Sequence, residues 1–270
     1  MKVYKSLTIA GSDSGGGAGI QADLKTFQEL GVFGTSALTA VTAQNTMGVQ
    51  DVFPLNPDQV VKQIHSVGSD LKIDSLKTGM LFSAEIITAV ARMIREFKWE
   101  KLVVDPVMIA KGGASLLQQQ AVVALKQELL PLAMVLTPNI PEAEVLTGIS
   151  IKSEEDKKEA ARRLHGMGVK YVLIKGGHEE DRHQAIDLLF DGNAFSTLQS
   201  RRIATKNTHG TGCTFSAAIT AELAKGASIH EAAATAKTFI QAAIEEDLNI
   251  GSGHGPTNHW AYNQNMKLNR

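Results

Sequence analysis

The sequence predicts an α/β fold of three layers, with a mainly parallel central sheet and helices on both of its faces. Short runs of β-branched residues or leucine alternate with longer segments of helical periodicity along the chain. Such alternation is typical of a parallel sheet that is covered by helices. Gly31, Gly168 and Gly226 each follow a predicted helix, where a left-handed C-terminal cap would lie.

Each element follows from its own residue pattern. The first strand is predicted where Leu7, Thr8 and Ile9 form a short run, and the helix after it where apolar residues recur three and four positions apart. In chain order the predicted strands are 6–10, 36–43, 101–104, 133–136 and 171–174, and the predicted helices are 19–30, 57–67, 84–97 and 154–167. Two short strands within 185–198, about Asp191-Gly192-Asn193, predict a small peripheral β-hairpin off the main sheet.

Composition narrows the class of protein. With 270 residues, of which 43% are hydrophobic, the chain can bury a large core, and no linker-like stretch divides it, so we expect a single domain over 1–270. The net charge of -1 gives no basic surface for nucleic acid. No apolar run reaches the roughly 20 residues of a membrane span. We expect a cytoplasmic protein, because its single cysteine, Cys213, cannot form an internal disulfide. The lack of a basic surface makes a small molecule the expected partner.

Polar residues and glycines follow nearly every predicted strand. These strand ends are 11–19, 44–45, 77–80, 105–107, 137–139 and 175–177. Any one of them is as well explained by an ordinary turn. In an open parallel sheet, however, ligands bind beyond the carboxyl ends of the strands. The coincidence of these residues at one edge therefore predicts a small-molecule site.

The first glycine-rich loop, 11–19, does not match the common nucleotide-binding patterns. Its glycines do not fit the spacing of a dinucleotide fingerprint, and no acidic residue ends the next predicted strand. No lysine follows them as a Walker A loop requires. We interpret these glycines as a place of close backbone approach to a small flat substrate, or as a hinge.

The second glycine-rich loop is more specific, because Gly210-Thr211-Gly212 leads directly into a strong helix-forming segment. Backbone N–H groups at such an entry converge on one point, and the helix dipole favours negative charge there. This geometry predicts a site for a phosphate or a transferring phosphoryl group. Cys213 stands at the same helix start, where a thiol's pKa is expected to be lowered so that its thiolate acts as a base. The alternative is a small buried residue with no chemical role.

These residues together resemble the ribokinase-like superfamily, in which a G-A-G-D signature supplies an anion hole and a catalytic Asp. In this sequence the signature reads Gly210-Thr211-Gly212-Cys213. The chain is most similar to the hydroxymethylpyrimidine and hydroxymethylpyrimidine-phosphate kinases of thiamine biosynthesis. The segments that carry the resemblance are 10–23, 42–46, 77–80, 105–108, 137–143 and 208–214.

The resemblance implies an ATP- and Mg²⁺-dependent kinase that phosphorylates 4-amino-5-hydroxymethyl-2-methylpyrimidine and then its monophosphate. It also implies a homodimer. Cys213 would replace the catalytic Asp, with Gly210 and Gly212 forming the anion hole. The residues implied at the nucleotide are Asp105, Asn139, Lys175 and Thr211, and those implied at the metal are Glu142 and Asn139. Each has a simpler alternative: Asn139 could cap a helix, Glu142 could be a solvated first-turn carboxylate, Lys175 a surface residue and Asp105 a turn residue.

Substrate choice depends mainly on Gln44, because a primary amide can both donate to and accept from an aminopyrimidine edge. Four residues are expected to lie against the ring: Gly11, Ala18, Met80 and Val107. Gln44 could also be an ordinary polar strand end, and Met80 core filler. The alternatives for function are a pyridoxine or pyridoxal kinase of the same superfamily, which tends to differ at Gln44, and a catalytically inactive ligand-binding homologue.

Three expectations concern the surroundings of Cys213. Some relatives carry a second cysteine where this chain has Ala110, so Cys213 would act without a second thiol. His209 is either an aid to Cys213 or only a hydrogen-bonded loop histidine. The segment 108–115 has the composition of a lid, and its closure would exclude water from the transfer.

Overall fold

The computed structural model describes residues 2–108, 119–177 and 183–268. Residues 109–115 of the predicted lid, including Ala110, lie outside these ranges. The strands are β1 (Lys5–Ala10), β2 (Phe33–Leu38), β3 (Ala40–Asn45), β4 (Gly48–Pro54), β5 (Ser75–Thr78), β6 (Leu102–Val104), β7 (Val135–Leu136), β8 (Tyr171–Ile174), β9 (Gln184–Phe190) and β10 (Phe195–Arg201). The α-helices are α1 (Gly19–Glu29), α2 (Pro57–Leu71), α3 (Ala84–Phe97), α4 (Gln119–Ala124), α5 (Ile140–Thr147), α6 (Glu154–Gly166), α7 (Thr211–Lys225), α8 (Ile229–Glu245) and α9 (Ala261–Leu268).

Eight strands form the central sheet, in the order β10-β9-β8-β7-β6-β5-β1-β2. From β2 to β8 all neighbours pair in parallel. Each residue of β5 is buried, which is expected for a strand covered on both faces. The predicted mainly parallel sheet is confirmed.

The core is divided by the sheet into two apolar layers. One layer joins the sheet to α2, α3, α4 and α6. The other joins it to α1, α7 and α8, and includes the fully buried Phe27 and Phe239. Helices therefore cover both faces, as predicted. Gly31, Gly168 and Gly226 have φ values of 72°, 99° and 94°, so the expected left-handed caps are confirmed.

The predicted hairpin within 185–198 is present, but its predicted place off the main sheet is wrong. β9 and β10 pair in antiparallel fashion, and β9 also pairs with β8, so both strands extend the central sheet. The cause is the buried end of β9, where Leu188, Leu189 and Phe190 need cover on both sides. At the turn, the Asp191 carboxylate accepts hydrogen bonds from the N–H groups of Asn193 and Ala194.

The single strand predicted over 36–43 is also wrong, because the chain leaves the sheet at Thr39. The Thr39 N–H donates to the carbonyl of Ala10, and its hydroxyl donates to the carbonyl of Met80, both beyond the sheet's own ladder. β3 then pairs only with β4, in a separate two-stranded antiparallel sheet. The small hairpin outside the main sheet is therefore β3–β4. Among the helices of the described residues, none has the length and apolar character to cross a bilayer.

Two phenylalanines, Phe27 in α1 and Phe33 in β2, provide a test of the core. Phe27→Ala should lower the free energy of unfolding by about 3–5 kcal/mol, because Phe27 is fully buried and the change leaves a cavity. Phe33→Ala, at a position that is 55% exposed on the edge strand β2, should change it by no more than about 0.5 kcal/mol. Urea denaturation measures both, and equal losses would contradict this assignment of the core.

Candidate functional site

A cavity of about 650 Å³ opens at the carboxyl ends of the parallel strands. It lies where β1 has β2 on one side and β5 on the other, which is the point where the strand order reverses. Chain segments that leave neighbouring strands diverge there and leave a crevice, which is the usual ligand site of open α/β sheets. The β3–β4 hairpin contributes to one wall and β9–β10 to another.

Every site residue predicted from the sequence lines this one cavity. They are Gly11, Ala18, Gln44, Met80, Asp105, Val107, Asn139, Glu142, Lys175, Gly210, Thr211, Gly212 and Cys213. The structure thus brings together residues that are as much as 202 positions apart in the sequence (213 minus 11). Their individual chemical roles stay predictions.

The first glycine-rich loop is organised by the buried carboxylate of Asp13. One oxygen, Oδ1, accepts the N–H of Gly15 at 2.8 Å. The other, Oδ2, accepts the N–H groups of Gly17 and Ala18 at 3.0 and 2.8 Å. Because these bonds satisfy three backbone donors at once, the loop has a defined shape without regular secondary structure.

Asp13 also connects the two glycine-rich loops, since its Oδ2 lies 2.7 Å from Nε2 of His209. Burial opposes ionisation of Asp13, but the His209 hydrogen bond and charge and the N–H groups of Gly15 and Ala18 lower its pKa overall. An ionised carboxylate only accepts, so the Nε2 of His209 carries the proton of this bond. Of the two interpretations of His209, an aid to Cys213 or a hydrogen-bonded loop histidine, this contact supports the second, because Nε2 points to Asp13.

Backbone contact between the two loops explains why glycine stands at Gly210. A Cβ at this position would lie only 1.7 Å from the carbonyl oxygen of Gly17, and φ is +83°. A Cβ on Gly17 would in turn meet the His209 ring. Neither position can carry a side chain without separating the loops, so the glycines serve close approach.

Helix α7 begins at this contact and points its N-terminus into the cavity. Gly210 is the N-cap residue, and within the described residues no side chain caps the helix. The first N–H groups of a helix have no partner within it. Here the N–H of Thr211 donates to the carbonyl of Thr208 at 3.4 Å, and the next two N–H groups belong to Gly212 and Cys213. The predicted helix entry is confirmed, and it offers converging donors and a positive dipole end to an anion.

The expected low pKa of Cys213 is wrong for this environment. Burial raises the pKa of the thiol to about 11, although the nearby ammonium of Lys77 and the N–H of Gly19 favour the thiolate. Asp23 and Asp105 oppose ionisation further. The helix-start argument considered the dipole and left out desolvation, which is the largest of the effects that act on the pKa of this thiol.

Gln44 faces the cavity because of an irregularity in β3. The register between β3 and β4 shifts between Ala43 and Gln44, and such a bulge redirects the side chain that follows it. The hydroxyl of Ser14 donates to the Gln44 carbonyl at 2.7 Å and accepts its N–H at 2.8 Å. The hydroxyl of Thr42 donates to the side-chain oxygen of Gln44 at 3.4 Å. The amide nitrogen of Gln44 lies 3.2 Å from Nε2 of His209, beside the second glycine-rich loop, but both are donors when Nε2 carries the proton shared with Asp13.

The residues expected around a ring lie close to one another. A Cβ on Gly11 would be 2.4 Å from the methyl carbon of Met80, so the methionine occupies the space that a larger residue would need. Met80 is therefore a wall of the cavity and not filler of the core. Val107 has a φ of 24°, which is rare for a β-branched residue. Such outliers are concentrated at functional sites.

Three charged residues form a cluster beside the start of α7. Nζ of Lys175 lies 3.0 Å from Oδ1 of Asp105, and a Cβ on Gly212 would be within 3.7 Å of both side chains. Glu142 is also buried. Burial opposes the charge on Lys175, yet Asp105 and Glu142 raise its pKa overall. The interpretations of Lys175 as a surface residue and Glu142 as a solvated carboxylate are both wrong.

Asn139 and Glu142 form a capping box at the start of α5. The Asn139 side chain accepts the N–H of Glu142, and the Glu142 carboxylate accepts the N–H of Asn139, each at 2.8 Å. The helix-capping role of Asn139 is thus confirmed. Burial raises the pKa of Glu142, and Lys175 counteracts this while Asp105 adds to it.

A magnesium ion is compatible with this donor set. Mg²⁺ is usually held by one or two carboxylates together with substrate phosphates and water. Glu142 keeps acceptor capacity beyond its bond to Asn139, because a carboxylate has about four lone-pair sites. Asp105 is the nearby second carboxylate. Across residues 2–108, 119–177 and 183–268, no group of three or more His, Cys, Asp or Glu side chains could hold a metal by itself.

Some residues of the site were missed in the sequence. Asp13 gave a signal, since an acidic residue within a glycine-rich loop can bind several N–H groups. No sequence signal pointed to the buried pair of Asp187 and Lys237, because the two residues are remote in sequence. The pair also lines the cavity, and its charged atoms lie 2.7 Å apart. Ile240 and Ile244, which line the cavity as well, were missed for the same reason.

Comparison with known proteins identifies the family. The family model described as phosphomethylpyrimidine kinase matches residues 13–258. The chain belongs to the phosphomethylpyrimidine kinase family. It is 60% identical to the hydroxymethylpyrimidine/phosphomethylpyrimidine kinase of Haemophilus influenzae, over 97% of this chain and 98% of that protein. It is 57% identical to the enzyme of the same description from Bacillus subtilis, over 98% of both chains. The resemblance drawn from the motifs is therefore confirmed.

A solved structure confirms the fold of the superfamily. The ADP complex of a Bacillus subtilis pyridoxal kinase superposes with a TM-score of 0.90 at 46% identity, covering 97% of this chain and 99% of that one. Kinases described by two different ring substrates thus share this architecture.

The contact between the glycine loops can be tested by comparing two glycines. Gly226→Ala should cost about 1–2 kcal/mol of unfolding free energy, because φ is +94° but no atom lies within 4 Å of the added Cβ. Gly210→Ala should cost clearly more, because its Cβ would also collide with the Gly17 carbonyl. Thermal unfolding measures both variants, and equal losses would show that the loops are not in tight contact.

The charge on Asp13 should appear in the pH dependence of stability. Asp13→Asn should cost about 1.5–3 kcal/mol near neutral pH, where the carboxylate is ionised and fully bonded. Because the folded pKa is below the ordinary 3.8, the wild-type advantage exists above that value and is lost as the pH falls through the lowered folded pKa. Urea denaturation from neutral to acid pH measures this difference.

The control for that experiment is Asp58→Asn, which removes an exposed carboxylate paired with Lys62. Its effect on the free energy of unfolding should be small at every pH, as is usual for surface ion pairs. A loss for Asp13→Asn that stays constant down to pH values well below 3.8 would contradict a charged Asp13.

Proposed function

We propose that this protein transfers the γ-phosphate of ATP to the hydroxymethyl oxygen of 4-amino-5-hydroxymethyl-2-methylpyrimidine, and then to the resulting monophosphate, for thiamine biosynthesis. The observation that carries the proposal is the position of the α7 N-terminus. It lies in one cavity between the amide of Gln44 and the charged pair of Asp105 and Lys175. A ring with its hydroxymethyl group fits at the first side, and nucleotide phosphates fit at the second.

The transfer requires that one bond forms as another breaks. Cys213, as thiolate, accepts the proton of the hydroxymethyl group, and the oxygen forms a bond to the γ-phosphorus. The bond between that phosphorus and the oxygen bridging to the β-phosphate breaks, and ADP leaves. The free N–H groups of Gly212 and Cys213 stabilise the negative charge on the transferring group.

The nucleotide is proposed to extend from α7 towards β9 and β10. Lys175 and Thr211 lie beside the phosphates, while Ile240 and Ile244 offer an apolar wall to a base. Mg²⁺ would be held by Glu142, with Asn139 as the second predicted ligand, together with the phosphates. When bound, the ion neutralises charge on the β- and γ-phosphate oxygens.

A pyridoxine or pyridoxal kinase is the second candidate, supported by the overall likeness to a pyridoxal kinase structure. Gln44 favours the pyrimidine, because an amide can pair with an amino group beside a ring nitrogen. An inactive ligand-binding homologue is disfavoured, since both glycine loops and the open start of α7 are intact.

Assembly and location are also part of the proposal. The family resemblance leads us to propose a cytoplasmic homodimer. The β3–β4 hairpin supports a dimer, because it exposes Val41, Met47 and Phe53, the last at 54%. Sedimentation equilibrium would decide between monomer and dimer.

A substrate panel tests the proposed function. With ATP and Mg²⁺, the protein should release ADP with the pyrimidine alcohol and with its monophosphate, and should have a lower kcat/KM with pyridoxine or pyridoxal. Gln44→Ala should lower kcat/KM for the pyrimidine by about tenfold to a hundredfold, because a polar ring edge then stays unpaired. It should change the value for the pyridine little.

The matched control is Gln50→Ala, which removes the same side chain from an exposed position on β4. It should leave the ratio of the two substrates unchanged. A higher kcat/KM for the pyridine would favour the second candidate, and tight pyrimidine binding without ADP release would favour the inactive homologue.

The role of Cys213 has its own kinetic signature. Cys213→Ala should lower kcat by about 10²–10⁴-fold, the usual contribution of a general base, with nucleotide affinity nearly unchanged. Because the thiol pKa is about 11, the wild-type kcat should rise with pH above neutrality as the thiolate fraction grows. In Cys213→Ala this rise should disappear.

A conservative variant provides the control. Cys213→Asp places the carboxylate of the superfamily signature at the same position, and it should retain more activity than Cys213→Ala. A kcat of wild-type size in Cys213→Ala would show that the thiol is only structural.

A further inference from the structure

An ion pair lies fully buried beneath the floor of the cavity. Nζ of Lys77, at the end of β5, is 2.9 Å from both carboxylate oxygens of Asp23, in the second turn of α1. Both side chains have no exposed surface. The hydroxyl of Thr8 donates to Asp23 at 2.6 Å. This pair does not line the cavity, and the roles proposed above do not use it.

The ammonium group reaches the layer directly below the substrate site. A Cβ on Gly79 would lie 3.2 Å from Nζ of Lys77, and Gly79 lines the cavity. Helix α1 begins at Gly19 and packs against α7, which begins at the residues around Cys213 and also packs against β5. Asp23 is one turn further along α1. The pair and the thiol thus share the junction of α1, β5 and α7.

Stability alone gives a poor reason for such a pair. Removing two charges from water costs several kcal/mol per ion, and replacing buried ion pairs with apolar residues is often neutral or stabilising. A fully buried lysine beneath a reactive site therefore calls for a chemical reason. The adjacent thiol offers one, because its ionisation places a new negative charge in a desolvated site.

We propose that Lys77 is a positioning residue for the reaction, stabilising the thiolate of Cys213 through the cavity floor while Asp23 fixes the ammonium and limits its effect. This inference rests on the proposed role of Cys213 as proton acceptor. The pair provides a positive charge that water cannot screen and that no substrate needs to supply.

The charges around the sulfur support this arrangement. From β5, Lys77 is the strongest charge that favours the thiolate, and Asp23 from α1 opposes it. Asp105, after β6, also opposes it, and the ammonium of Lys175, after β8, is within the range of the thiol's charge. Burial opposes the charge on Lys77, but Asp23, the thiol and Asp105 raise its pKa overall, so it is a cation at any working pH.

The two members of the pair have opposite effects on the thiolate, which makes the proposal testable. In Asp23→Asn the lysine stays and the opposing carboxylate is lost, so the thiolate fraction should rise. In the double variant Lys77→Met, Asp23→Asn both charges are lost, and because Lys77 has the larger effect, the thiolate fraction should fall. The double variant also leaves no unpaired charge in the interior, which is the costly consequence of removing only one member of a buried ion pair.

The measurement uses the single cysteine of the chain. Only Cys213 can react with iodoacetamide as a thiol, so mass spectrometry of the intact protein follows its alkylation. Between about pH 7 and 10 the rate is proportional to the thiolate fraction. We expect a rate about tenfold higher for Asp23→Asn and about tenfold lower for the double variant, the size of a one-unit charge effect.

A matched control removes the other buried pair of the cavity. Lys237→Met, Asp187→Asn eliminates an ion pair of 2.7 Å, against 2.9 Å for Lys77 and Asp23, that joins α8 to β9, and it should leave the alkylation rate unchanged. Equal rates in all variants, or changes of the same sign in both test variants, would overturn the proposal. If the double variant fails to fold, the rise in Asp23→Asn alone decides, and no rise overturns it.

Kinase turnover separates this inference from the proposed function. If the alkylation rates shift as expected and kcat follows them, both are supported. If the rates shift while kcat does not, the pair sets the charge of the thiol, and Cys213 as the base is overturned. If Cys213→Ala lowers kcat but the alkylation rates do not shift, only the role of Lys77 is overturned.

Discussion

The contact between two glycine-rich loops is the constraint on which the rest of the site depends. The carbonyl of Gly17 and the backbone of Gly210 approach so closely that no Cβ fits between them. Asp13 holds this contact from one side by binding its own loop and His209 of the other. Because one loop begins α1 and the other begins α7, both helix starts are brought to the same cavity. The position of Cys213 follows from that contact.

Two ion pairs, each with one acidic and one basic side chain, lie near the start of α7. Asp23 and Lys77 lie below the floor, while Asp105 and Lys175 lie beside it. Such pairing lets buried charges persist without isolating any one of them. A transferring phosphoryl group adds negative charge to this set, and the helix N-terminus is where the site offers donors for it. The site is therefore prepared for an anion before the anion binds.

The sequence alone predicted the parallel sheet, the helices α1, α2, α3, α6 and α7, and the meeting of the proposed site residues in one cavity, because strand ends in such sheets converge on one edge. It placed the small hairpin wrongly. The segment 36–43 contains no charged residue, glycine or proline that would mark a break, and the long-range hydrogen bonds of Thr39 show that the chain leaves the sheet there. The sequence also could not predict the environment of Cys213. Desolvation depends on which elements cover the thiol, and Lys77 and Asp23 are more than a hundred residues away.

A cysteine in the position of a carboxylate changes what its surroundings must do. A buried carboxylate at this helix start would be ionised near neutral pH if the dipole and nearby cations outweighed burial. A thiol begins from a higher pKa, and burial raises it to about 11, so the same surroundings leave it mostly protonated. With Cys213 as the proposed base, the reaction depends on how far positive charge can offset desolvation. Lys77 is well suited to this, because it is fixed by Asp23 and shielded from water. The proposed use of a thiol in place of a carboxylate thus makes ionisation of Cys213 depend on Lys77, which lies outside the cavity itself.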